Sequence, residues 1–121
     1  MMKKVWNSFL QNVYLNNKLE KKGDFMKFFQ VMEFTGTSEE AIAAINNYVE
    51  IAGSETTVRR ATVCEDRDNP GKLLQIIEFD SYEDAMINNE LEVTKKASEE
   101  DTSNFGDVQF KNLNVIQVFE L

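Results

Sequence analysis

The chain has 121 residues, 42% hydrophobic and 11% aromatic, which suits one compact domain with an apolar core. A net charge of −8 argues against non-specific nucleic-acid binding, and a single cysteine, Cys64, excludes an internal disulfide and fits a reducing cytoplasm. No apolar run approaches the ~20 residues that span a bilayer, and the apolar residues after Lys3 and Lys4 are interrupted by Asn and Gln, unlike a secretory signal.

The charge is unevenly placed. Residues 1–27 carry six lysines against Glu20 and Asp24, a net of +4, whereas residues 28–121 carry seven basic and nineteen acidic residues, a net of −12. The chain therefore divides into a basic extension, residues 1–25, and a domain, residues 26–121. Within the extension, Val5, Trp6, Phe9, Leu10, Val13 and Tyr14 fall on one stripe. This predicts an amphipathic helix over residues 3–22, either packed on its own domain or its dimer mate, or docking on a membrane surface or protein partner.

The domain is organised around a repeat. Gln30–Phe34 reads Gln-Val-Met-Glu-Phe, and 45 residues later Gln75–Phe79 reads Gln-Ile-Ile-Glu-Phe. Each copy runs through a short connection into an acidic helix start. The first strand is expected over 26–35. Thr37 and Glu40 form a capping box for a helix to about Ala52, with Ile42, Ile45, Val49 and Ala52 as its inner face. A β-branched strand over 56–64 leads to Asp66-Arg67-Asp68-Asn69-Pro70-Gly71, where Pro70 and Gly71 suit the centre of a type II turn. The second repeat strand covers 72–79. The second helix is expected to start with Asp80 as N-cap and Glu83 at N3, to break near Asn88-Asn89, and to resume to about Glu100. A polar loop over 101–107 precedes a last strand over 108–119.

The order is βαββαβ, so the expected fold is α+β and ferredoxin-like with an antiparallel sheet. Right-handed crossovers place the two repeat strands side by side in the centre, and this central pair is expected to run parallel. Alternation puts Gln30, Met32, Phe34 and Gln75, Ile77, Phe79 on one face. Phe29, Val31, Glu33 and Leu74, Ile76, Glu78 lie on the other. Both faces are largely apolar. The one not covered by helices is expected to meet a second copy across a two-fold axis, giving a homodimer.

With these residues in place, the stretch Ile-Glu-Phe-Asp-Ser-Tyr-Glu-Asp-Ala at 77–85 resembles the strand–turn–helix of the dimeric α/β-barrel superfamily, the group of the antibiotic-biosynthesis monooxygenases. The Asp-Arg-Asp-x-Pro-Gly run at 66–71 resembles small uncharacterised bacterial members. The resemblance, over about residues 27–121, implies cofactor-independent oxidation of phenolic polycycles or quinols, or haem degradation. The second fails here. The chain contains no histidine, its one tryptophan, Trp6, lies outside the matching region, and Phe79 stands where haem-degrading relatives have tryptophan.

The candidate catalytic pair is Glu33 and Glu78. If the repeat strands are parallel, the two carboxylates are neighbours, and desolvation with like-charge proximity gives one of them the character of a general base. The competing reading is a structural ion cluster with Arg59 or Arg60, of which only one shares their face. Tyr82, Asn88 and Asn89 are further ligand-binding candidates, with helix packing and helix breaking as their structural readings. Neither metal-ligand spacing nor a phosphate loop is present, so no cofactor is expected. Three functions remain in play: an enzyme acting on a small hydrophobic aromatic or quinone-like molecule, a non-catalytic small-ligand-binding module, and an interaction protein docked through residues 3–22.

Overall fold

The computed structural model describes residues 26–121, and the expected helix over 3–22 and the boundary at residue 25 lie outside the described residues. Strand β1 is Phe28–Thr35, helix α1 Ser38–Ala52, β2 Arg60–Glu65, β3 Lys72–Phe79, α2 Tyr82–Glu90, α3 Glu92–Phe105 and β4 Gln109–Asn114. They form a ferredoxin-like βαββαβ unit with a four-stranded sheet in the order β2-β3-β1-β4. Every pairing in it is antiparallel.

The central pair β1–β3 is thus antiparallel, against the expectation of parallel strands. The crossover through α1 makes β1 parallel to β2. The β2–β3 hairpin then returns β3 between them in the opposite sense. The two repeats are related by a local two-fold rotation with Val31 and Ile76 paired at its centre.

The local signals for the elements are specific. Thr37 Oγ1 accepts from the Glu40 N–H at 3.1 Å and the Thr37 N–H donates to Glu40 Oε1 at 3.2 Å, the full capping box. In the hairpin loop the Lys72 N–H donates to Asn69 O at 3.1 Å, and Gly71 has φ +93°, as the third position of a type II turn requires. At α2 the cap is Ser81, whose Oγ accepts from the Asp84 N–H at 3.1 Å. Asp80 is not the cap. Its carboxylate pairs with Arg59 at 2.7 Å, which fixes the entry of β2 against the end of β3.

Three further boundaries differ from expectation. α3 continues to Phe105 through the expected loop. The ring of Phe105 packs 4.7 Å from that of Phe34, and it lies so close over Gly36 that a Cβ there would meet it at 3.0 Å. β4 ends at Asn114, and residues 115–121 continue beyond it without strand pairing apart from the Val115 N–H to Lys27 O bond. The inner face of α1 is carried by Ala41 and Ala52, both buried, whereas Ile42 and Val49 are half exposed.

The core lies between the helices and one sheet face. Phe28, Met32 and Phe34 from β1 and Leu73, Ile77 and Phe79 from β3 are all buried there. On the opposite face Phe29, Val31, Glu33, Leu74, Ile76 and Glu78 are half-buried, and no helix among the described residues covers them. The assignment of residues to faces by period two therefore agrees with the structure throughout the repeat.

The two residues at the start of α2 are separable by mutation. Ser81→Ala removes the cap and should lower stability by about 1 kcal/mol. Asp80→Ala removes only an exposed ion pair and should cost roughly half of that or less. Denaturant midpoints of the two variants check the order.

Candidate functional site

The sheet face that packs against the helices does not fill completely. A cavity of about 300 Å³ lies between the sheet floor and the helical roof. Gln30, Met32, Phe34, Gln75, Ile77 and Phe79 form the floor. Ala41, Ala44, Ile45 and Tyr48 from α1, with Ala97, Asp101 and Phe105 from α3, form the roof. Asn88 and Asn89 at the end of α2, with Val58, Arg59 and Arg60 at the entry to β2, close one side. The space exists because the helices present alanines where larger side chains would meet the sheet. Its size falls at the lower end of small-molecule sites, and its lining of aliphatic and aromatic groups with few polar ones is of that kind.

One side of the cavity is held by a polar hub. Asn88 Oδ1 accepts from Tyr48 Oη at 3.2 Å, from Thr56 Oγ1 at 2.8 Å and from the Thr57 N–H at 3.1 Å. Tyr48 Oη also lies 2.9 Å from Thr94 Oγ1. One buried amide therefore ties together α1, the approach to β2, α2 and α3. Asn89 Nδ2 donates to the Ala85 carbonyl at 2.8 Å, within its own helix.

The floor carries two amides. The register sets Gln30 opposite Ile77 and Gln75 opposite Met32, so Gln30 and Gln75 are diagonal neighbours roughly 7 Å apart. Gln30 is 2% exposed, and its Nε2 has no hydrogen-bond partner among the described residues. In the roof, burial pushes the carboxyl of Asp101 up from the ordinary 3.8 to about 6, and the nearby Glu100 carboxylate adds to the rise.

The candidate residues separate in the structure. Arg59, Arg60, Asn88 and Asn89 line the cavity. Tyr82 does not. It is buried, with its ring 4.6 Å from that of Phe28, and serves packing. Glu33 and Glu78 lie on the other sheet face, outside the cavity lining, and they are not neighbours. Glu33 pairs with Leu74 and Glu78 with Phe29, four positions along β1 from Glu33, which is roughly 13 Å. The premise of parallel strands placed them together, and the antiparallel pairing takes them apart. Arg60 is the arginine that shares the face of Glu78: they are register partners, with Nε–Oε2 at 3.7 Å. Among the described residues no group of three His, Cys, Asp or Glu is placed to hold a metal ion.

Tyr48, Thr94, Asp101 and the two glutamines line the cavity without having been singled out as ligand residues. For Gln30 and Gln75 the signal was in the repeat, which sets a polar residue among apolar ones on the helix-facing side in both copies. For Asp101 no local signal exists, because its burial depends on α3 extending past Glu100.

Comparison with solved structures places this architecture. A variant of SnoaB, a cofactor-independent oxygenase from Streptomyces nogalater, superposes with TM-score 0.64 at 12% identity over 76% of this chain and 95% of that one. This is the fold of the antibiotic-biosynthesis-monooxygenase type. A candidate antibiotic biosynthesis monooxygenase from Deinococcus radiodurans matches with TM-score 0.59 at 16% identity, over 78% of this chain and 97% of that one. A Mycobacterium tuberculosis protein matches with TM-score 0.63 at 11% identity, over 78% and 99%. At these identities the likeness to the monooxygenase type is one of fold. No protein-family model matches the chain, and no curated protein matches it in sequence.

Two variants test the site as described. Asn88→Ala strips the hub of its shared acceptor and should cost about 2–3 kcal/mol, read from chemical denaturation. Asp101 binds its proton more tightly folded than unfolded, so its burial costs stability as pH rises from about 4 through about 6. Asp101→Asn should therefore match the wild type below pH 4 and exceed it by about 1–2 kcal/mol at pH 8, allowing for partial solvent screening.

Proposed function

We propose that the cavity binds a small, mainly apolar molecule with an aromatic or quinone-like ring, and that the protein oxidises it with dioxygen without a resident cofactor. The observation that carries the reading is the cavity itself, an apolar chamber with two amides on its floor and one proton-binding carboxyl, Asp101, in its roof. The fold likeness to SnoaB supports the class of reaction. In such a reaction the substrate supplies all four electrons: a ring CH₂ becomes a carbonyl, one oxygen atom stays in the product and the other leaves as water. The protein's part is to bind the ring, exclude bulk water and accept the first proton. Asp101, ionised above about pH 6, takes that last role in place of Glu33 and Glu78.

A second reading is binding without chemistry. The engagement of Asn88 in the hub and of Asn89 in its own helix favours it, because both amides are committed to structure. An oxygen electrode separates the two readings. With anthrone as substrate, uptake should exceed autoxidation, yield anthraquinone, and rise with pH through about 6 as Asp101 loses its proton. Asp101→Asn should lower kcat by roughly a hundredfold or more. Saturable anthrone binding with no enzyme-dependent uptake would leave the binding module as the function.

We further propose that the sheet face opposite the described helices forms a homodimer by meeting the same face of a second copy. Phe29, Val31, Leu74 and Ile76 supply its apolar centre, with Ile76 opposite Val31. Ile76→Lys should convert a dimer to a monomer in light scattering, and a variant that remains a dimer would sink the proposal.

A further inference from the structure

Gln30 is anomalous for its position. It sits in the middle of β1, 2% exposed, among Phe28, Met32 and Phe34, where an apolar side chain would complete the core. Its amide nitrogen has no hydrogen-bond partner among the described residues, although leaving a buried donor unpaired is costly. The same side chain lines the cavity. The nitrogen itself is sealed beneath neighbouring atoms, and a half-turn of the amide brings it to the chamber, where an entering acceptor satisfies it.

We propose that Gln30 orients the ligand, by donating a hydrogen bond from Nε2 to a carbonyl or deprotonated hydroxyl oxygen carried by an otherwise apolar ring. This rests on the reading of the cavity as a ligand site and narrows it to ring ketones, quinones and phenolates over plain hydrocarbons. Hydrocarbon rings gain only the apolar contacts of Met32, Phe34, Ile77 and Phe79 and leave the amide unpaired. An oxygen-bearing ring gains the same contacts and pairs it. Discrimination of this kind is large for buried sites, because the wrong ligand leaves a protein polar group without a partner.

The rival partner is Asn112. It is the register partner of Gln30 on β4, and its Oδ1 is also buried without a partner among the described residues. Asn112 is not among the cavity-lining residues, and the two amides are not bonded to each other. A rotation that joined them would make Gln30 a structural residue.

The test compares 1-tetralone with tetralin, which share a ring frame and differ by the carbonyl oxygen. By calorimetric or fluorescence titration the wild-type full chain should prefer 1-tetralone by about tenfold, the scale of one hydrogen bond to a buried donor. Gln30→Met keeps the length and removes the N–H. It should bring the two affinities together while the melting temperature holds or rises. Asn112→Leu should keep the preference. A second readout needs no variant: the Gln30 side-chain ¹⁵N–¹H resonance should shift on adding 1-tetralone and not on adding tetralin. An unchanged preference in Gln30→Met, or one abolished by Asn112→Leu instead, overturns the proposal and leaves the cavity reading standing. A drop in melting temperature with unchanged preference assigns Gln30 to Asn112. Failure of both probes to bind the wild type refutes the cavity reading, and this inference with it.

Discussion

The antiparallel pairing of β1 with β3, centred on Val31 and Ile76, is the constraint on which the rest depends. It makes the two repeats symmetric about one point in the sheet. Residues one position from that point, Gln30 and Gln75, are brought close on the helix-covered face. Residues two positions away, Glu33 and Glu78, are carried apart on the open face. The same sequence motif thus yields two outcomes, set by the direction of one strand.

The helical layer answers this sheet with an unusual economy of volume. Ala41, Ala44 and Ala97 face the floor, and the Tyr48–Asn88–Thr94 hub fixes how the helices sit over it. A core built only for stability would fill that space with larger side chains, since packed apolar contact is what burial rewards. Here the space is kept, while the apolar residues Ile42 and Val49 of the same helix are left half exposed. The arrangement gives up packing where a ligand would restore it. Unfilled volume, the unpaired Gln30 amide and the buried carboxyl of Asp101 all lie around one chamber, and each is a local cost to the empty protein.

The open face poses the complementary question. Its apolar centre is flanked by charged residues in register, Arg60 with Glu78 on one side and Lys111 opposite Val31 on the other. Such a face has an apolar middle and a polar surround, the anatomy of an interface and not of an enclosed chemical site. The two proposals thereby place chemistry and association on opposite sides of one sheet.

The sequence by itself determined the elements, the capping box at Thr37, the turn at Pro70–Gly71, the strand order and the division of each strand into two faces. Apart from the strand order, which follows from the handedness of crossovers, these rest on local hydrogen bonding, fixed dihedral preferences and the period of two, all of which act within a few residues. Strand direction, the depth of the cavity and the identity of its polar residues were decided only by tertiary structure. Antiparallel pairing arises from the hairpin that inserts β3 between β1 and β2, a relation between segments 45 residues apart in the repeat. The burial of Asp101 follows from the extension of α3 to Phe105, which is held there by contact with Phe34 and Gly36 at the far end of β1. No local signal carries that information, because the partners that create each environment come from distant parts of the chain.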